Sequence, residues 1–314
     1  MRSPPPGRLV PIGTHRLHIN CAGEGRPAVV FDAALGASSL SWSLVHPEVA
    51  RFTRACAYDR AGFGWSEAGP MPRTAGRVAD ELRLLLREAD IGPPYVLVGH
   101  SFGGLVMRLF AARHRADVAG LVLIEPAIPD DWAEPSAEKR ALIQRGTRLC
   151  GLGERAARLG IARTVAGLVR LGALAPARAL VGLVSRGGLR REDEGILAPI
   201  WKLPPEARRT LGAMWSEPRF FSALGSQIEH VCDSAVEVQR EASAAYGDLP
   251  LTVISAEASS EERLRADAAL AGLSSRGRHL LAASSGHWVP LDAPHVVIDG
   301  IADLVRDLRS SLSS

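Results

Sequence analysis

Apolar residues in the first part of the chain gather into short runs closed off by glycine, proline or charge. The runs are "RLHINCAG" (16–23), "AVVFDAA" (28–34), "RACAYDR" (54–60), "YVLVGH" (95–100) and "GLVLIEP" (120–126). Runs of this length, rich in valine, isoleucine and leucine, predict strands buried in a sheet. Between the last three lie "AGRVADELRLLLREADIG" (75–92) and "FGGLVMRLFAARHR" (102–115), where leucine and valine return every three or four positions. That spacing puts them on one face of a helix. Strand and helix in alternation predict an α/β protein: a mostly parallel central sheet with helices on both faces.

The pattern changes near residue 127. From there to about 244 no strand is expected, and Ala, Leu, Arg and Gly dominate, as in "GERAARLGIARTVAGLVRLGALAPARALVGLV" (153–184). Strands return with "PLTVISAE" (250–257) and "RHLLAAS" (278–284), and "HVVIDGIADLVRDLRSSL" (295–312) reads as a closing helix. The expected organisation is a core of residues 1–126 and 245–314 interrupted by an inserted helical cap, 127–244. Arginines at 155, 158, 163, 170 and 178 break the apolar content of the insertion. No uncharged run reaches the roughly 20 residues of a membrane span, so no transmembrane segment is expected. An amphipathic helix lying on lipid is a second reading of the same stretch.

Composition narrows the function. The chain has 314 residues, 46% apolar, with a net charge of +3. That charge is too small to suggest a nucleic-acid partner. The amino terminus, "MRSPPPGRLVPIG", lacks the apolar stretch of a secretory signal, and a cytoplasmic location is the expectation. Cys21, Cys56, Cys150 and Cys232 are far apart in sequence, without a C-x-x-C pair. They are expected to be reduced thiols, with a Cys150–Cys232 bridge the alternative if the protein is exported.

The candidate chemistry centres on "YVLVGHSFGGLVMRLF" (95–110), a strand, then Gly99-His100-Ser101-Phe102-Gly103, then a helix. G-x-S-x-G in that setting carries serine on a tight turn above the sheet edge. With it, the chain resembles the α/β-hydrolase superfamily in its serine-nucleophile, esterase-like branch. Haloalkane dehalogenases and epoxide hydrolases use an aspartate at the serine's place, so the resemblance points away from them. A "YDRAGFGWSE" run (58–67) adds to the likeness; its Asp59 and Arg60 read as structural. A serine nucleophile needs a base. His287, in "SSGHWVPLDAP" (284–294), matches the family's histidine loop, with Asp292 as the acid of its turn. His100 lies in the elbow, a position that the family does not use as base, and His15, His18, His46, His114, His230, His279 and His295 read as surface or packing residues.

The resemblance also implies two oxyanion-binding amides, those of Phe102 and of Leu35 in "VVFDAALGASSLSW" (29–42), where Ala33-Ala34 replaces the family's His-Gly. The usual acid after the penultimate strand is missing, because "PLTVISAEASSEER" (250–263) carries Ser259 at its place. The acid is expected instead to be Glu125, at the end of the strand following the nucleophile helix, as in some haloalkane dehalogenases. Glu257 remains the alternative; Glu261 and Glu262 read as the first turn of a helix. The expected activity is hydrolysis of carboxylic esters through an acyl-enzyme, on an uncharged apolar small molecule, without metal or organic cofactor. Hydrolysis of another acyl or C–C bond, or ligand binding without turnover, stays open.

Overall fold

The computed structural model describes residues 4–170, 201–242 and 246–312. Eight strands form one sheet: β1 (Arg8–Pro11), β2 (Arg16–Ala22), β3 (Ala28–Asp32), β4 (Ala55–Tyr58), β5 (Tyr95–His100), β6 (Val118–Ile124), β7 (Leu251–Ala256) and β8 (Gly277–Ala282). Their spatial order is β1-β2-β4-β3-β5-β6-β7-β8. From β4 to β8 every neighbour is parallel, while β1 and β2 pair antiparallel and β2 joins β4 antiparallel. The α/β class and mostly parallel sheet agree with the alternation in the sequence. The short edge strand β1 has no counterpart among the expected strands.

The helices, in chain order, are α1 (His46–Val49), α2 (Ala75–Glu88), α3 (Phe102–Arg113), α4 (Pro129–Ala133), α5 (Ala137–Arg158), α6 (Ile161–Arg170), α7 (Pro205–Met214), α8 (Pro218–Glu229), α9 (Val231–Glu241), α10 (Glu261–Ala271), α11 (Val289–Asp292) and α12 (Pro294–Leu312). Strand alternation divides the core in two. Val30, Leu97, Leu121 and Val253 pack with Val78, Leu82, Leu85 and Leu105 of α2 and α3 on one face. Phe31, Val96, Val98, Val122 and Ile254 pack with Val49, Val297 and Ile301 of α1 and α12 on the other. With both faces covered, the central strands must be apolar throughout, hence their unbroken hydrophobic runs.

Between β6 and β7 every described regular element is a helix, α4 to α9. Part of that stretch, including residues 171–184 of the Ala- and Arg-rich run 153–184, lies outside the described residues. No helix among the described residues is long and apolar enough to cross a membrane.

The chain runs from β3 to β4 on one side and then crosses back to lay β5 on the other side of β3. This reversal opens a crevice outside the carboxyl ends of β3 and β5, the usual ligand position in open α/β sheets. The loops bearing Leu35 and Ser101 leave the sheet there.

One expectation fails. Cys21 and Cys56 are joined in a disulfide, whereas Cys150 and Cys232 are free. The antiparallel pairing of β2 with β4 sets Cys21 directly opposite Cys56, a proximity that a separation of 35 residues in the chain conceals.

Candidate active site

Ser101 follows the last residue of β5 and precedes the first of α3, with φ 55° and ψ −116°. A left-handed backbone at a non-glycine residue is strained, and its neighbours supply the room. A methyl group on Gly99 would lie 2.5 Å from the Gly103 carbonyl oxygen, and one on Gly103 would lie 2.5 Å from that of Asp32. The turn is pinned by Ser101 N–H donating to the Ile124 carbonyl (3.0 Å) and by the Gly104 and Ala127 amides donating to the Ser101 carbonyl (2.9 and 3.0 Å). Phe102 is the first residue of α3, so its N–H has no acceptor within the helix.

Glu125 comes next after β6 and is also left-handed, with φ 44°. Its own N–H continues the sheet ladder to the Ile254 carbonyl at 2.8 Å. Pro126 then turns the chain away and rests on Gly104, where an added methyl would come within 2.7 Å of the proline Cβ. The buried carboxylate is held at both oxygens. Oε1 accepts from the Ala256 amide (2.7 Å) and the Ser259 hydroxyl (3.0 Å), and Oε2 faces His287 Nδ1 at 3.2 Å. Burial pushes the Glu125 pKa up, but the bonds from His287, Ala256 and Ser259 and the charge of Arg263 outweigh it and hold the carboxyl below its ordinary value.

His287 sits between β8 and α11, and its side chain is 47% exposed. Its loop is tied from two directions. Asp292 accepts from the Gly286 amide at 3.0 Å and from Lys202 Nζ at 2.5 Å, while His100 Nε2 donates to the His287 carbonyl at 2.8 Å. Burial and the neighbouring His287 drive the His100 pKa down to about 3. His100 therefore stays neutral and carries its proton on Nε2. The two imidazole rings are 5.1 Å apart. Ser101 Oγ makes no hydrogen bond to a described residue, so the ring meets the carboxylate but not the hydroxyl.

Leu35 stands in a turn closed by Ala37 N–H to the Ala34 carbonyl at 3.1 Å. The buried Arg60 guanidinium holds this loop: Nε donates to Asp32 Oδ1 at 2.8 Å, and the two terminal nitrogens donate to the Ala34 and Ala33 carbonyls. The same guanidinium lies 4.9 Å from the centre of the Phe102 ring. Asp59 takes the Ser39 and Trp65 amides at 2.7 and 3.0 Å. Arg60 thus reaches both loops that carry the candidate oxyanion amides. The sequence signal was the Asp-Arg pair of "YDRAGFGWSE", which does not reveal what the arginine grips.

Glu257 takes another direction. Its carboxylate accepts from the Ser284 amide at 3.0 Å, bracing the loop before His287. Glu261 and Glu262 occupy the first turn of α10, behind the Ser260 cap that accepts from the Arg263 amide. No group of three or more His, Cys, Asp or Glu side chains suited to a metal ion occurs among the described residues.

This sheet, with a serine elbow after β5 and a histidine loop after β8, defines a class. A family model described as the alpha/beta hydrolase fold matches residues 27–175, and the chain has the α/β-hydrolase fold. Among individual relatives, it is 37% identical over 108 residues to the uncharacterized protein YqjL of Bacillus subtilis, a match covering 34% of this chain and 43% of YqjL. The chain spans less than half the length of the first curated relatives it matches. Solved structures align along nearly the whole chain. A thermophilic esterase from Thermogutta terrifontis is 19% identical with a TM-score of 0.63, covering 94% of each chain. Epoxide hydrolase CorEH is 20% identical with a TM-score of 0.60, covering 96% of this chain and 98% of its own. At these identities the likeness is one of fold.

Proposed function

We propose that the protein is a serine hydrolase that cleaves carboxylic esters through an acyl-enzyme. The observation that carries this reading is the pairing of His287 Nδ1 with the buried Glu125 carboxylate at 3.2 Å, beside a serine with elbow geometry. With Nδ1–H held by the carboxylate, Nε2 is left unprotonated and free to act as base.

Ser101 Oγ attacks the ester carbonyl as its proton passes to His287 Nε2. The Leu35 and Phe102 amides take the oxyanion. Collapse expels the alcohol, which receives the proton from His287, and water then releases the acid by the same steps in reverse roles. Glu125 stabilises the imidazolium without taking its proton. Arg60 positions the two amide-bearing loops and touches no reacting atom.

The helices between β6 and β7 serve as a cap over the crevice. Leu203, Leu211 and Leu291, with Leu40, Leu44, Trp215 and Trp288, form an apolar cluster joining α7 to the loops beside the site. Such walls suit an uncharged apolar ester. A cytoplasmic location, expected from the amino-terminal sequence, has the Cys21–Cys56 bond against it, because disulfides persist chiefly in oxidising compartments.

A second reading, a ligand-binding protein without turnover, draws on the exposed His287 ring and the absence of a Ser101–His287 hydrogen bond. A fluorophosphonate probe with intact-mass and peptide analysis decides between them. The hydrolase reading expects one equivalent of label on Ser101 and a burst of p-nitrophenol from p-nitrophenyl butyrate. An unlabelled Ser101 in folded protein would overturn it in favour of binding.

A further inference from the structure

The contacts of α8 fix how it is rotated over the sheet. One side meets the loop after β4: Arg219 donates to the Gly64 carbonyl at 2.8 Å, Ser226 Oγ accepts from the Arg73 amide at 3.0 Å, and a methyl on Gly62 would strike Ala223 Cβ at 2.3 Å. The opposite side meets α5, where Phe221 closes on Gly153 and Ile228 on Gly146. Leu224 reaches the Leu35 turn, its Cδ1 lying 3.1 Å from where a Gly36 methyl would be.

At about 100° per residue, Phe220 and Gln227 fall between Ala223 and Leu224, so both point at the carboxyl edge of the sheet. Phe220 meets Phe63 there, ring centres 5.8 Å apart. Gln227 is wholly buried, at 0% exposure, and neither its Oε1 nor its Nε2 has a hydrogen-bond partner among the described residues. Burial deprives the amide of water and gives nothing back. An apolar side chain of the same length would serve packing better.

We propose that Gln227 is a substrate-recognition residue, whose free donor and acceptor read one neutral hydrogen-bonding group on the substrate. This rests on the ester-hydrolase reading and deepens it. The substrate class is an ester, otherwise apolar, whose acyl or alcohol part carries a single hydroxyl or amide. A charged group is disfavoured, since a lone neutral carboxamide cannot balance a buried charge.

The test compares matched esters with and without a hydroxyl on each side: p-nitrophenyl butyrate and 3-hydroxybutyrate for the acyl part, butyl and 3-hydroxybutyl acetate for the alcohol. Wild type is expected to favour the hydroxylated member of one pair about tenfold in kcat/KM, the order of one hydrogen bond that the site would otherwise leave unmade. Gln227→Leu should bring that ratio to about one while melting no lower than wild type. A lowered melting temperature with the preference intact, or no preference in wild type, would overturn the proposal. A parallel calorimetric arm uses Ser101→Ala with butyramide and 3-hydroxybutyramide, butyl methyl ether and its hydroxylated counterpart. If wild type turns over no ester, the hydrolase reading falls alone, and loss or persistence of hydroxyl discrimination in Ser101→Ala/Gln227→Leu decides the role of Gln227.

Discussion

The ends of β6 and β7 lie side by side at the carboxyl edge of the sheet and do opposite things. After β6 the chain sets down a carboxylate, Glu125, in a left-handed conformation. After β7 it offers hydrogen-bond donors instead, the Ala256 amide and the Ser259 hydroxyl, both spent on Glu125 Oε1. Ser259, at the place where the resemblance leads one to expect the acid, thus donates to the carboxylate proposed to replace it. The comparison teaches that two neighbouring strand ends share one task. One supplies charge; the other fixes it, leaving Oε2 for the imidazole.

Removing the charge should break this division of labour most severely. Glu125→Ala leaves Nδ1 without an acceptor and the tautomer unfixed, and p-nitrophenyl butyrate turnover is expected to fall about 10⁴-fold, as for the triad acid of a serine protease. Removing one donor is milder: Ser259→Ala should cost about fivefold in kcat/KM, the worth of one net hydrogen bond.

Acid stability sharpens the same contrast. Because the Glu125 pKa is lower in the folded chain than its ordinary value, its contribution to stability is complete above the unfolded pKa and is lost as pH falls through the folded one. Chemical denaturation of wild type and Glu125→Gln should therefore show a stability difference at neutral pH that shrinks below about pH 4. A constant difference would mean that Glu125 carries no such linkage. Glu257→Gln should have the smallest effect, with turnover within about twofold of wild type and a small drop in melting temperature, since it braces Ser284 and not the ring.

The buried strands and the elbow were legible because each depends on local pattern. Residues 95–110 carry an apolar strand, two spaced glycines and a helical period in one continuous stretch, and the structure has β5, the turn and α3 there. What depended on distant partners was not legible. β1 is four residues ending on proline, too short to stand out. The Cys21–Cys56 bond needs the β2–β4 register, and Arg60 shows its hold on Ala33 and Ala34 only once β3 and β4 are paired. The sequence raised Glu125 as a candidate through its place after a strand, yet its left-handed backbone and its bond from Ser259 arise from β6–β7 pairing. Gln227 passed unnoticed because a glutamine in an amphipathic helix looks like a surface residue until the helix is docked.

The most direct test of the account is NMR of protein labelled with ¹⁵N at the histidine imidazoles, recorded at neutral pH for wild type, Glu125→Gln and Glu257→Gln. The account predicts that His287 carries its proton on Nδ1, shifted downfield by the carboxylate. That signature should vanish in Glu125→Gln and persist in Glu257→Gln. A His287 protonated on Nε2 in wild type, or a signal lost in Glu257→Gln and kept in Glu125→Gln, would contradict it.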